Sequence, residues 1–173
     1  MVEDLIDVTV RPATVDDAEA IAQVHVASWR QAYTGVVAED YLATLDVTSR
    51  AAWWREHLGG ATRGLSVWVA EAEGRVVGFS SLGPSIDEDA ERNTLQIYTI
   101  YLEPSFWGHG VARELMRTVL SSVPDGAPVT LWVLAANERA RHFYRRSGFV
   151  ADGVERLEEI GGERHREVRY RRG

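Results

Sequence analysis

Two glycines one residue apart, Gly108 and Gly110, carry the clearest chemical signal in this sequence. They follow a β-prone run and precede apolar residues at helical spacing, so they join a strand to a helix. Glycine lets the backbone approach a ligand closely, and the free amides of residues 109–113 would converge on an anion at the positive end of the helix. The turn therefore predicts a diphosphate site, although a tight turn that holds no ligand has the same spacing.

Two known nucleotide loops do not fit this turn. The phosphate loop of nucleoside triphosphatases needs a Gly-Lys-Ser or Gly-Lys-Thr ending, which is absent from the segment. The dinucleotide fingerprint needs a third small residue where Arg113 stands. The anion site therefore belongs to neither of these nucleotide-binding classes.

The composition excludes several other kinds of chemistry. The sequence contains no cysteine, which rules out disulfides, thiolate metal sites and a cysteine-linked acyl-enzyme intermediate. The five histidines show no metal-ligand spacing, so we expect no bound metal. A formal charge of −7 argues against a nucleic-acid partner, because binding to phosphates needs a basic face.

Length and hydropathy indicate one domain. The chain has 173 residues, 45% of them hydrophobic, which suffices for one substantial core and is too little for two ordinary domains. We therefore expect a single domain over residues 1–173. No stretch approaches the roughly 18 uninterrupted apolar residues of a membrane span, and the N-terminus lacks the pattern of a signal peptide. These features predict a cytoplasmic protein that makes no membrane contact.

Strands and helices alternate through the second half of the chain. Alternating or β-rich runs predict strands at residues 5–11, 66–72, 75–82, 94–102, 129–134, 150–157 and 166–170. Helical spacing predicts helices at residues 14–28, 48–58, 111–120 and 137–147, with a further helical region from Trp29 to Leu45 that breaks at Gly35. This order predicts an α/β or α+β fold, in which a mixed sheet carries helices on both faces.

The glycine turn and its flanking segments resemble the GNAT superfamily of N-acetyltransferases. The acetyl-CoA motif of that family is Gln/Arg-x-x-Gly-x-Gly/Ala at the start of a helix, and Gly110 and Ala112 match its last two positions. Trp107 stands where the family has Gln or Arg. Residues 98–104 resemble the preceding strand, 137–149 the later helix, and 6–20 with 28–35 the N-terminal part, so the resemblance covers most of the chain.

The resemblance implies a mixed, mostly antiparallel sheet in which two adjacent parallel strands splay apart. Here these strands would be residues 94–102 and 129–134, and backbone groups of Ile100 and Leu102 would bind the pantetheine arm of the cofactor like an added strand. The implied cofactor is acetyl-CoA. The residues expected to contact it are Ile100, Tyr101, Leu102, Trp107, Gly108, His109, Gly110, Val111, Ala112, Arg113, Asn137, Arg141 and Tyr144.

The resemblance also places a catalytic acid at Tyr144, which would protonate the departing thiolate. Reference acidities of phenol and thiol differ by only about 1.5 units, so a modest shift caused by the environment would remove the cost of this transfer. Packing of Tyr144 and Phe143 on the sheet is the alternative from helix spacing alone. Asn137 would contact the cofactor arm or cap its helix, and both roles are compatible. The arginines of the same helix, Arg139, Arg141, Arg145 and Arg146, would meet the adenosine 3′-phosphate or form a solvated face.

The acceptor side is less clearly defined. Trp29 and Tyr33 lie where family members have a substrate lid, and core packing is the alternative. Gln96 stands where similar sequences often carry Glu and would contact the substrate, but it is no base. We therefore expect water to relay the amine proton to solvent or to a carboxylate such as Glu103. The acidic loop at 87–91 would attract a cationic amine or simply be solvated.

These features together predict an acetyl-CoA-dependent N-acetyltransferase that acts on a primary amine of a small molecule or peptide. The absence of cysteine favours direct transfer in a ternary complex. A non-catalytic acyl-CoA-binding module of the same fold is the alternative, and Trp107 and Gln96 keep it open. Since relatives are often dimers, a homodimer is expected.

Overall fold

The computed structural model describes residues 6–61 and 63–173. Its strands are β1 (Thr9–Pro12), β2 (Ser66–Ala72), β3 (Arg75–Pro84), β4 (Leu95–Leu102), β5 (Val129–Leu134), β6 (Val150–Ile160) and β7 (Glu163–Arg172). Its α-helices are α1 (Ala18–Tyr33), α2 (Glu39–Thr44), α3 (Val47–Glu56), α4 (Val111–Ser121) and α5 (Glu138–Arg146). The strands form one sheet in the order β1-β2-β3-β4-β5-β7-β6. A mixed sheet flanked by helices confirms the predicted fold class.

The parallel pair in the centre of the sheet separates after two residues. The strands β4 and β5 are paired only at Leu95 with Val129 and at Gln96 with Thr130, and all other neighbouring strands are antiparallel. Against β3, β4 carries one extra residue between Ile97 and Thr99, which is a β-bulge. A bulge bends its strand, so β4 leaves β5 beyond this point. The predicted splayed pair is therefore confirmed.

Helices cover both faces of the sheet. On one face, Ile21 of α1 and Trp54 of α3 pack with Phe79 of β3. On the other face, α4 packs against β3, where Gly78 leaves so little space that an added Cβ would lie 3.2 Å from Leu115. The helix α5 lies on the same face as α4, because its Tyr144 shares a cluster with residues of α4, β5 and β7. The divergence of β4 from β5 is thus enclosed by α4 and α5 on one side and by α1 on the other.

The first helix is longer than its sequence pattern predicted. A short 3-10 helix (Val15–Asp17) leads into α1, which continues past residue 28 to Tyr33. Trp29 and Tyr33 therefore lie one turn apart on the same helix, with ring centroids 4.7 Å apart, and do not begin a second helix. The β1 prediction at 5–11 was displaced as well, since the strand runs from Thr9 to Pro12, and Leu5 lies outside the described residues. Pro12 lacks a backbone N–H, but it is the last residue of an edge strand, so no hydrogen bond inside the sheet is lost there.

The C-terminal hairpin is also longer than predicted. The strands β6 and β7 extend to a turn at Gly161 and Gly162, whose φ angles are 63° and 80°. Charged residues occupy seven of the ten positions of β7 and five of the eleven positions of β6, and this obscured the alternation that identifies a strand. Cross-strand ion pairs such as Arg166 with Glu155, at 2.6 Å, join them. This hairpin contributes one wall of the site described next.

Candidate functional site

A cavity of about 650 Å³ lies where β4 and β5 diverge. Two groups of residues line it. The first group, here called the loop half, comprises the turn before α4 and the facing sides of α4 and α5. The second group, here called the α1 half, comprises Ser28, Trp29, Ala32, Tyr33, Tyr101, Ile160 and Glu167. The cavity thus connects the two faces of the sheet through the gap between the strands.

The glycine turn has the geometry of an anion site. Gly108 and Gly110 have φ angles of 80° and 84°, which residues with side chains rarely adopt. Gly110 is the N-cap of the eleven-residue helix α4, and no side chain caps this end. The amides of Val111, Ala112 and Arg113 consequently have no helical partner, and they lie at the positive end of the helix dipole.

Most of the predicted cofactor-contacting residues line the cavity. They are Ile100, Tyr101, Leu102, Trp107, Gly108, Gly110, Val111, Ala112, Arg113, Asn137 and Tyr144. His109 is not among the lining residues, and its carbonyl accepts a hydrogen bond from the amide of Ile6 at 3.4 Å. Along β4, residues 97–102 have no strand partner on the β5 side, which leaves backbone groups facing the gap.

Arg141 does not reach the cavity, which corrects its predicted contact with the cofactor. Its guanidinium donates to the hydroxyl of Tyr170 at 3.1 Å and to the carbonyl of Ala135 at 2.9 Å. Arg145 is likewise bound to Tyr170 and Glu138. In these two cases the helix turns its arginines toward β7, because Tyr170 offers a buried acceptor there.

Arg139 takes the place that Arg141 was predicted to have. Its guanidinium carbon lies 3.5 Å from the ring centroid of Trp107, and both residues line the cavity. Burial lowers the pKa of Arg139, and no carboxylate pairs with it in the described part of the chain. Together with Arg113, Arg117 and Arg146, it makes the loop half cationic. The basic run in the sequence was the available signal, but spacing alone did not identify the inward-facing member.

Tyr144 lies between the sheet and the cavity. Its ring is 6.3 Å from those of Phe149 and Tyr170, and within the described residues its hydroxyl has no hydrogen-bond partner. Burial raises the pKa of Tyr144, the neighbouring phenols Tyr101 and Tyr33 raise it further, and the positive charge of Arg139 opposes them. The environment therefore makes Tyr144 a weaker acid than a free phenol, and the phenol stays protonated at neutral pH.

Asn137 caps its helix, which is one of its two predicted roles, and it also lines the cavity. Its side-chain oxygen accepts a hydrogen bond from the amide of Ala140 at 3.1 Å, which caps α5. Its side-chain nitrogen donates to the hydroxyl of Tyr33 at 3.4 Å. This contact links the start of α5 to α1 across the cavity, so Asn137 joins the two halves.

Two residues predicted for the acceptor side lie elsewhere. Gln96 is buried outside the cavity lining, and its side-chain oxygen accepts a hydrogen bond from the amide of Ile86 at 3.2 Å. Gln96 lies on the same face as Thr99 and Tyr101, but β4 is still paired with β5 at Gln96, so the gap that forms the cavity has not yet opened there. Glu103 forms ion pairs with Arg75, which lower the pKa of its carboxyl and make it a poor proton acceptor.

The acidic loop is bound internally and does not face the cavity. Asp89 accepts two hydrogen bonds from Arg169, at 2.6 and 2.8 Å, which lower the pKa of its carboxyl. Asp87 lies 3.3 Å from the same guanidinium and accepts a hydrogen bond from the indole of Trp132 at 3.0 Å. No residue of 87–91 lines the cavity, so the loop does not present its carboxylates to an amine bound there.

Glu167 is the lining residue that the sequence did not reveal. It lies on β7 opposite Leu134 of β5 and is the only carboxylate in the cavity wall among residues 6–61 and 63–173. The sequence did not indicate that Glu167 faces inward, because the charge-rich hairpin lacks the alternation of apolar and polar residues that identifies the buried face of a strand. A search of the same residues finds no group of metal ligands and no helix long and apolar enough to cross a membrane.

Comparison with known proteins gives consistent matches. Residues 23–149 match the model of the acetyltransferase (GNAT) family. The chain is 31% identical over 149 residues to "Probable N-acetyltransferase Rv2775" of Mycobacterium tuberculosis, and the match covers 85% of this chain and 82% of that protein. It is 37% identical over 164 residues to "Uncharacterized N-acetyltransferase YuaI" of Bacillus subtilis, covering 89% and 91%.

Solved structures show the same fold. PaiA N-acetyltransferase from Thermoplasma acidophilum, in complex with coenzyme A, superposes with a TM-score of 0.75 at 17% identity over 96% of this chain and 99% of that one. YncA from Salmonella typhimurium, solved with its cofactor acetyl-CoA, gives a TM-score of 0.69 at 20% identity over 95% and 92%. At these identities the likeness establishes the architecture.

Proposed function

Because this chain belongs to the acetyltransferase (GNAT) family, we propose that it transfers the acetyl group of acetyl-CoA directly to a primary amine of a small molecule or peptide. The observation that carries this proposal is the cavity through the sheet. It joins an uncapped, glycine-flanked helix start at one end to an aromatic wall at the other, with an unpaired strand edge between them.

The loop half fits the coenzyme. The amides of residues 111–113 would hold the diphosphate, and Arg139 with its three neighbouring arginines would neutralise the remaining phosphate charge. The free edge of β4 over residues 97–102 offers alternating donors and acceptors to the two amides of the pantetheine arm. The carbonyl of Leu102 already accepts a hydrogen bond from the indole of Trp107 at 3.3 Å, so the other groups of this edge would bind the arm.

The chemistry needs one acid and one route for a proton. The neutral amine attacks the thioester carbonyl, the C–N bond forms, the C–S bond breaks, and the thiolate takes a proton. Tyr144 is positioned to supply that proton from its hydroxyl. Burial raises the pKa of its phenol, and the same removal of water disfavours the thiolate, which increases the tendency of the thiolate to take a proton. The proton lost by the amine leaves through water.

Direct transfer is supported by the absence of an activated nucleophile. The chain has no cysteine. The serines in the cavity wall, Ser28 and Ser147, have no histidine hydrogen-bonded to them among the described residues. An acyl-enzyme intermediate needs a base that activates the hydroxyl, so this arrangement supports direct attack of the amine on the thioester.

Calorimetric titration of acetyl-CoA tests this proposal. Wild type should bind saturably, and Gly110→Glu should abolish binding because it puts bulk and negative charge where the diphosphate sits. Gly126→Glu is the matched control, since Gly126 has a similar φ of 79° and an added Cβ meets nothing within 4 Å. Absence of binding to wild type would refute the function, and binding without thiol release on any amine would indicate the non-catalytic module.

Two further properties are part of the proposal. A cytoplasmic location would supply acetyl-CoA, and a homodimer would cover the exposed Val150 and Leu157 of the edge strand β6, which are 68% and 63% exposed. Light scattering after gel filtration would measure the oligomeric state, and a monomer at all concentrations would contradict the dimer.

A further inference from the structure

The two halves of the cavity carry opposite charge. The loop half has four arginines in its wall, Arg113, Arg117, Arg139 and Arg146. The α1 half has no cationic side chain in its wall and one carboxylate, that of Glu167, in the part of the chain that the structure describes. A polyanionic donor is thus attracted to one end, and a cation is attracted to the other.

The Glu167 carboxylate is held in place. Its side chain is 14% exposed, and one oxygen accepts a hydrogen bond from Nε of Arg156 at 2.7 Å. Arg156 is itself stacked on Trp132, 4.2 Å from the ring centroid. The second carboxylate oxygen has no hydrogen-bond donor among the described residues, so it can accept one from a ligand.

Aromatic rings complete the surroundings of this carboxylate. Trp29 and Tyr33 meet edge to face in the wall, and Tyr101 lies beside them on β4. Such rings stabilise a cation that is removed from water. Glu167 pairs with Leu134, which packs with Tyr33 on the face of the sheet that α1 covers. The next residue of β7, Val168, packs with Tyr144 on the opposite face. Glu167 therefore lies beyond the phenols, away from the reaction centre at Tyr144.

This separation decides what the carboxylate binds. The nitrogen that attacks the thioester must lose its proton, whereas a nitrogen held in an ion pair with Glu167 is stabilised as ammonium, because the reference pKa values of ammonium and carboxyl groups differ by about 6 units. A nitrogen held at Glu167 is therefore a different one from the nitrogen that reacts near Tyr144.

We propose that Glu167 anchors a second cationic group of the acceptor, so that the substrate is a diamine or an amine carrying another positive charge. This inference rests on the proposed function and adds the chemical class of the acceptor. The other charged or titratable groups near the anchor are Arg156 on β6, Tyr33 and His25 on α1, Tyr101 on β4 and Arg50 on α3, whose charge acts on Tyr101.

Steady-state kinetics with matched amines test the anchor. Linear diamines of three to six carbons should be acetylated with a KM about tenfold or more below that of the monoamines of equal length. Glu167→Gln should remove this preference by raising the KM for diamines and leave the Kd for acetyl-CoA unchanged. Glu155→Gln is the matched control, because it removes an arginine-paired carboxylate of the same hairpin outside the cavity.

A second variant separates recognition from structure. Arg156→Gln removes the cation that partly cancels the Glu167 charge, so the KM for diamines should fall, opposite to the effect of Glu167→Gln. The inference would be overturned if wild type had equal KM values for diamines and monoamines, or if Glu167→Gln kept the preference for diamines. It would also be overturned if a protein that binds acetyl-CoA acetylated neither amine. Loss of acetyl-CoA binding by wild type would instead refute the proposed function.

Discussion

The two halves of the cavity are built in different ways. The loop half is made mainly from backbone: two glycines with positive φ, the first amides of α4 and the free edge of β4. The α1 half is made from side chains that α1, β4 and the C-terminal hairpin bring together. A site made from backbone depends on local sequence, whereas a site made from side chains depends on the whole fold. The first can hold one donor while the second varies with the acceptor.

The largest effect should come from the group where the halves meet. Tyr144→Phe removes the proposed acid, and we expect kcat to fall about 100-fold, since general acid catalysis contributes this much or more. The Kd for acetyl-CoA should stay within about twofold, because the change is one oxygen that makes no hydrogen bond here. Tyr41→Phe, outside the cavity wall, serves as the control. An unchanged kcat would show that Tyr144 only packs.

Acid should weaken the α1 half first. His25 packs against Trp29 and Tyr101 beneath this half, and burial, with Arg50, lowers its pKa to about 3. Its folded pKa is below the unfolded value, so this stabilisation is full above about pH 6.5 and is lost as the pH falls. The free energy of unfolding should decrease by about 2 kcal/mol between pH 6.5 and 5.

Denaturant titrations over that range of pH would measure this slope. His25→Leu should remove most of it, and His57→Gln, at a partly exposed position, should retain it. The carboxyls whose pKa is lowered by arginine, Asp89 and Glu103, lose their contribution only below about pH 5, outside the chosen window. A slope that persists in His25→Leu would assign the acid sensitivity to another group.

In the loop half, the contribution of a side chain to the affinity for acetyl-CoA can be separated from that of the backbone amides. Arg139→Gln should weaken acetyl-CoA about tenfold, as expected for one charged hydrogen bond, and leave acetyl-pantetheine, which lacks the phosphates, unaffected. Arg145→Gln on the same helix is the control, because its guanidinium faces Glu138 and Tyr170. If acetyl-CoA and acetyl-pantetheine lost affinity equally, Arg139 would contact the pantetheine arm or stabilise the fold, and would not bind the phosphates.

The smallest effect should follow from Trp107→Phe. If backbone amides hold the diphosphate, losing the indole donor while keeping a ring under Arg139 should change the Kd for acetyl-CoA by no more than about twofold. Calorimetry on Trp107→Phe and Arg139→Gln in parallel would compare their Kd values for acetyl-CoA. A loss larger than that of Arg139→Gln would mean that the side chain at this position matters more than the amides.

The sequence predicted the loop half well because its determinants are local. Glycine spacing, the strand before it and the helix after it are all visible within residues 94–121, and the structure has each element close to its predicted bounds. The errors in the loop half concern which side chains of α5 point into the cavity. Arg139 and Arg141 are neighbours on one helix, and only the position of Tyr170 on β7 determines which of them faces away from the cavity.

The α1 half was predicted poorly because its determinants are tertiary. Trp29 and Tyr33 were identified, but Gln96 lies where β4 is still paired with β5, and the hairpin brings Glu167 into the wall. Neither hydropathy nor propensity marks the residue at which two paired strands separate. The charged strands β6 and β7 lacked the apolar alternation that would have identified their inner face.

The separation of β4 from β5 means that the protein without ligand contains an unfinished sheet. Backbone groups that would normally pair with a neighbouring strand must be satisfied by water until an extended molecule enters the gap. The coenzyme arm would then complete the hydrogen bonding of the sheet as well as deliver the acetyl group. Because the coenzyme binds the folded protein, the free energy of binding would add to the free energy of unfolding. The thermal stability of the protein would therefore rise with the concentration of its donor.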